Sequence, residues 1–249
     1  MNKKHQVASL TINSSIFLTV LVAIIVTIGR SVRAQYYVNP EVTWMDFFYY
    51  TDITNIVLWV ASICMIIIVS MQIHNKKTYK SFKGFYIFKF ISVVGTTFTF
   101  LFVFLIFFPL GEINEKYKEV SMYNGIQIIT HIIAPLLGLF GFVFTEYYPT
   151  NKKWTYTLPL VEMFVYMLIL IPLVVTGVYE KYSCTHWESP YPFTNFMSNP
   201  WWATILYMIF CYGLTLGIGA GIYFSNYAAF TKLYVQDTNA KKHKIKNNK

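Results

Sequence analysis

Charge is what this sequence has least of. Only 12% of its 249 residues are Asp, Glu, Lys or Arg, against about 25% in ordinary soluble domains. With 55% hydrophobic and 19% aromatic residues, the chain is too apolar for a soluble globule. Cysteine is scarce as well: Cys64, Cys184 and Cys211. No C-x-x-C pair occurs and nothing has zinc-ligand spacing, which excludes a disulfide framework, a thioredoxin-type centre and a structural zinc site. Cys64 and Cys211 fall in apolar runs and read as small core residues; Cys184 stands alone in a loop. The first apolar run, Ile16–Gly29, is not followed by an A-x-A cleavage site, so it reads as a span and not as a leader. No cofactor and no metal is expected. The lack of a second histidine in any apolar run argues against paired-histidine haem ligation.

What the chain has in quantity is long apolar runs. Six are legible, at about 12–29, 45–73, 85–110, 123–144, 157–179 and 201–224. Each suits a helix crossing roughly 30 Å of hydrocarbon, and none alternates as a barrel strand would. The expected fold is all-α: a single polytopic domain over 1–249 of six transmembrane helices in one bundle, with a short basic tail from about 232. The formal net charge of +9 comes from lysines beside the spans, which argues for topology and anionic lipid and against nucleic acid. Lys3 and Lys4, then Lys76, Lys77, Lys80 and Lys83, then Lys152 and Lys153, then the lysine-rich tail all fall on one side of a six-span chain. Arg30, Arg33, Lys116, Lys118 and Lys181 fall on the other, diluted by seven acidic residues. The positive side is cytoplasmic, so both termini are expected inside a cell membrane. Abundant Lys, Asn, Ile, Tyr and Phe suggest a low-GC bacterial source.

The fourth run, QIITHIIAPLLGLFGFVF, holds His131, the one histidine of five inside an apolar run. Pro135 follows four residues later. Its missing N–H should free the His131 carbonyl and bend the helix just below the imidazole. An ionisable residue at membrane depth is a functional candidate by default; the bland alternative is a histidine hydrogen-bonded to a neighbouring helix. The second run opens with WMDFFYYTDITN. Its aromatics suit a membrane interface; Thr51 and Asn55, four apart, share a helix face, and Asp52, three before Asn55, neighbours that face. Counted from the expected span starts, Thr51 lies about 9 Å and His131 about 12 Å deep, on the outer side. Arg30 and Arg33, at the outer end of span one, read either as snorkelling cations or as a clamp for an anionic lipid group. Lys89 is expected to snorkel, and Glu162 to lie near the inner surface, away from the histidine. Gly213, Gly217 and Gly221 form a small-residue ridge that reads as a helix contact face.

Three stretches, FFYYTDITN, THIIAPLL and the Tyr191–Phe193 YPF, occur in the order seen in one family. The chain resembles the androgen-induced-protein/ADTRP family of six-span membrane proteins and its uncharacterised bacterial relatives. Animal members are threonine hydrolases of fatty-acid esters of hydroxy fatty acids, and the resemblance places their nucleophile at Thr51 and their histidine at His131. Asp52 is an unusual neighbour in that pattern, and Thr54 is a second candidate hydroxyl.

Chemistry agrees with that pairing. A threonine hydroxyl needs a base within reach, histidine is the usual one, and a third group normally orients the ring. Asp52, Asn55 and Gln127 are the candidates for that role. The leading expectation is an intramembrane lipid-ester hydrolase with a Thr/His dyad open to the outer leaflet. Its partners are membrane lipids and a small lipid ester. A non-enzymatic lipid-binding or structural protein and a small-solute transporter stand beside it. Oligomeric state is not legible.

Overall fold

The computed structural model describes residues 3–37, 49–75, 82–107, 125–146, 153–182, 189–191 and 194–232. Six helices are long and apolar enough to cross a membrane: Lys3–Arg33, Tyr50–His74, Lys83–Leu105, Gly125–Thr145, Trp154–Val175 and Trp201–Phe230. They are called spans one to six below. The architecture is an all-α bundle, with no strand among the described residues, and the chain is a multi-pass membrane protein. Met45–Phe48, most of the connecting-loop lysines, Cys184, His186, Pro192–Phe193 and the basic tail lie outside the described residues.

Span three is the axis. Of its most apolar window 67% is buried, against 22% for spans one and six. Spans two, four, five and six pack around it, span one packs against spans two and four, and the outward faces of the bundle stay apolar, as at Leu18, Leu105, Leu168 and Phe210. That is the surface expected of helices whose solvent is lipid. Tyr50 of span two closes one end of the core between Phe98 of span three (ring centroids 5.6 Å) and Tyr166 of span five (4.9 Å). Many serines and threonines spend their hydroxyls on the carbonyl one turn back, as Ser62 does on Leu58 (2.8 Å) and Thr215 on Cys211 (2.8 Å). A hydroxyl satisfied in this way sits in an apolar span with little penalty.

Three glycines allow close approach, and none belongs to the expected ridge. A Cβ on Gly95 would lie 2.5 Å from the Glu162 carboxyl, one on Gly141 2.7 Å from Ile12, and one on Gly219 2.6 Å from the Tyr156 carbonyl. Around Gly213, Gly217 and Gly221 nothing comes within 4 Å, and all three are exposed. Within this chain, therefore, the ridge is not a contact face. The packing residue of span six is Gly219, two positions out of the ridge's register.

Lys89 also departs from expectation. It is fully buried, and its ammonium donates to Ser62 Oγ at 2.7 Å instead of snorkelling. It belongs to a polar cluster at the end of the bundle that carries the N-terminus of span one. There the Ser9 hydroxyl and the Asn13 amide donate to the Glu146 carboxylate. The Asn226 amide donates to the Phe142 and Glu146 carbonyls at 2.7 and 2.6 Å, which serves carbonyls at the end of span four that have no helical donor. Lys89 and Glu146 interact electrostatically.

Candidate functional site

The candidate site lies at the opposite end of the bundle, and proline chemistry in span four builds it. The helix is not regular through Ile129–Ile133: it makes a π-turn there. The Ala134 N–H reaches back five residues to the Ile129 carbonyl instead of four to Thr130. The residue that would serve Thr130 in this wider register is Pro135, which has no N–H. The carbonyl relieved of its backbone donor is thus Thr130, one residue before the His131 carbonyl that α-helical spacing indicates. π-Turns of this kind often occur at functional positions.

Span two supplies the missing donor. The Asn55 side-chain amide donates to the Thr130 carbonyl at 3.1 Å and to the Thr51 carbonyl, one turn back in its own helix, at 2.8 Å. A single buried amide therefore ties the turn that carries Thr51 to the residue preceding His131. The Thr54 hydroxyl also donates to the Thr51 carbonyl, at 3.0 Å. Span two begins at Tyr50, so Thr51 stands in its first turn, and the Asn55 amide brings the Thr51 and Thr130 carbonyls together at one donor.

A third stretch closes over this end. The Tyr191 hydroxyl accepts from the Tyr50 backbone N–H at 3.0 Å, one of the orphan donors of a helix start, and is hydrogen-bonded to the Thr51 side chain. Tyr191 also packs edge-on against Tyr49 (5.8 Å). Burial pushes its phenol well above the usual range, and the Thr51 hydrogen bond opposes that shift. The Ser189 and Thr194 hydroxyls both donate to the Tyr191 carbonyl, at 2.6 and 2.8 Å, which fixes the loop that presents it.

Thr51 is buried and hydrogen-bonded to Tyr191. His131 is half-buried, and its Nδ1 is enclosed without a hydrogen-bond partner. None of Asp52, Asn55 and Gln127 bonds Nδ1. Asn55 is spent on the two backbone carbonyls, and its own Oδ1 is left unpartnered. Asp52 is half-buried, within electrostatic reach of Tyr191. Gln127 is half-buried one turn before His131, its carbonyl accepting from the Thr130 hydroxyl at 3.4 Å. Arg30 and Arg33 are exposed on the last turns of span one.

Sequence reasoning misplaced Glu162. It does not keep to the bundle's other end. Its Oε2 faces Gly95, against which the Thr54 methyl also packs, so it lies one turn below the Thr51 site. The signal was Gly95 itself, a glycine inside a helix rich in Phe and Thr, which marks close approach by another group. Comparison with protein-family models, with curated proteins and with solved structures finds no match for this chain.

Proposed function

We propose that this protein is an intramembrane lipid-ester hydrolase in which Thr51 is the nucleophile and His131 the general base, as the resemblance to the androgen-induced-protein/ADTRP family implies. The observation that carries the reading is the convergence of three stretches distant in sequence. Tyr191 is hydrogen-bonded to the Tyr50–Thr51 turn, Asn55 ties that turn to Thr130, and the adjacent histidine keeps an unpartnered ring nitrogen.

His131 takes the hydroxyl proton as Thr51 Oγ bonds to the ester carbonyl carbon. The tetrahedral intermediate collapses, and the alcohol leaves with the proton held on the imidazole. Water, deprotonated by the same ring, then releases the fatty acid and restores the threonine. Tyr191, hydrogen-bonded to the Thr51 side chain, positions the nucleophile. Among the described residues Lys3, Lys4, Lys83, Lys153 and Lys232 stand toward the other end of the bundle, and on the positive-inside rule we assign this site to the outer leaflet and both termini to the cytoplasm. Its substrates are lipid esters that enter laterally from the membrane.

The test is turnover of fluorogenic acyl esters by purified protein in liposomes. Thr51→Ala and His131→Ala should each lose activity at least 100-fold, as expected for removal of a nucleophile or its base, with Thr51→Ser retaining part of it. A fluorophosphonate should label the wild type at Thr51 and neither alanine variant. Undiminished turnover by folded Thr51→Ala would refute the assignment. A second reading, small-solute transport, draws support from Lys89 and Glu146, both buried toward the other end of the bundle. It predicts solute flux across liposomes that depends on those two residues and not on Thr51.

A further inference from the structure

Glu162 is eight residues into span five from Trp154, about 12 Å of helix in a hydrocarbon core of about 30 Å. Both carboxyl oxygens are enclosed, and neither has a hydrogen-bond partner. The room they occupy exists because residue 95 is glycine: a Cβ there would stand 2.5 Å from Oε2 and 3.0 Å from the Thr54 methyl. Sequence and packing have thus made space for a carboxyl in mid-membrane without supplying it a counter-charge.

The groups that face it can be taken element by element. Span two presents Tyr50, whose hydroxyl also lacks a partner and which interacts electrostatically with Glu162, and Thr54, whose hydroxyl is spent on the Thr51 carbonyl. Span three presents the bare Gly95. Its one buried cation, Lys89, lies six residues away and is bonded to Ser62. From span six, Cys211 and Tyr207 reach this part of the core, and neither is cationic. A metal ion would need several ligands, and among the described residues no group of three or more His, Cys, Asp or Glu side chains gathers here or elsewhere. An ionised carboxylate in such a place is so unfavourable that the group takes up a proton instead.

We propose that Glu162 is an intramembrane proton-binding site, a neutral carboxylic acid at neutral pH whose O–H is directed toward the Tyr50 hydroxyl between spans two, three and five. Loss of the proton would set a bare charge among apolar helices, so release requires water to enter or the three spans to part. The site is one turn from Thr51, but the inference stands apart from the hydrolase reading.

Infrared difference spectroscopy of the full chain in liposomes at pH 7, wild type against Glu162→Gln, tests it. The wild type should show the carbonyl stretch of an un-ionised carboxylic acid, shifted in heavy water and lost in the variant. Dicyclohexylcarbodiimide gives an independent readout. It takes the acid proton onto nitrogen while its central carbon bonds the carboxyl oxygen, and the adduct rearranges to a stable N-acylurea. Mass mapping should find the adduct at Glu162 with this lipid-soluble reagent and not with a water-soluble carbodiimide. A carboxylate band in place of the acid band, lost in Glu162→Gln, overturns the proposal. Should the variant fail to fold, the mapping on wild type decides, and an unmodified Glu162 overturns it equally.

Discussion

Asn55→Ala is the most searching perturbation of the site's construction. It removes two hydrogen bonds, at 2.8 and 3.1 Å, and the two losses are unequal. The Thr51 carbonyl keeps the Thr54 hydroxyl at 3.0 Å. The Thr130 carbonyl, already without a backbone donor because of the π-turn and Pro135, is orphaned. An orphaned buried carbonyl costs about 1–3 kcal/mol, and interhelical hydrogen bonds in membranes average about 0.6 kcal/mol with maxima near 2. The expected destabilisation is therefore about 1–3 kcal/mol. Pro135→Ala should relieve it. The new N–H at 135 reaches Thr130 if the π-turn persists, and if the turn reverts to α-helix the Ala134 N–H returns to Thr130. In either case the carbonyl regains a donor, so the Asn55→Ala penalty should shrink in the Pro135→Ala background by about 1 kcal/mol of coupling, within the range seen for residues that share a partner. The measurement is a double-mutant cycle on reversible unfolding in mixed micelles. Additivity to within about 0.5 kcal/mol, or a neutral Asn55→Ala, would refute this account of the junction between spans two and four.

The other predictions rest on packing and topology. Gly219→Ala must displace the Tyr156 backbone carbonyl, 2.6 Å from the new Cβ, and should cost about 1–3 kcal/mol; Gly217→Ala, with nothing within 4 Å, should stay within about 0.5 kcal/mol of wild type in the same unfolding assay. Lys89 should resist water-soluble amine reagents under conditions that modify the exposed Lys3, Lys4 and Lys83, as mapped by mass spectrometry; modification at the rate of those three would return it to the surface. Single cysteines replacing Lys80 and Glu115, in a chain freed of Cys64, Cys184 and Cys211, should react with an impermeant thiol reagent from opposite sides of the membrane, and labelling of both from one side would overturn the proposed orientation.

The bundle was legible because the property that defines it is local. Eighteen or more apolar residues dictate a helix in lipid whatever they touch, and all six runs appear as helices within a few residues at most ends. Larger discrepancies have local reasons. Span one extends back to Lys3 through a polar turn whose Ser9 and Asn13 are buried against Glu146, so hydropathy alone understates its length.

Partnership is where sequence reading stops, and the four expectations that failed share one cause. Lys89, Glu162, the carbonyl freed by Pro135 and the glycine ridge were each judged by what their own helix would do in lipid: snorkel, approach the nearer surface, bond four residues back, or pack by its small face. Each was decided instead by a residue on another span. Ser62 receives Lys89, Gly95 makes room for Glu162, Asn55 replaces the donor that Pro135 lacks, and Tyr156 selects Gly219 over its neighbours. In a bilayer these choices are unusually strong, because a polar group that fails to find its partner has no water to fall back on. Span three, the most buried of the six, carries two of those four contacts, Lys89 and Gly95. The same residues that make it the axis of the bundle draw an ammonium and a carboxyl into the interior, and the fold thereby holds ionisable groups at depths that the apolar runs by themselves would forbid.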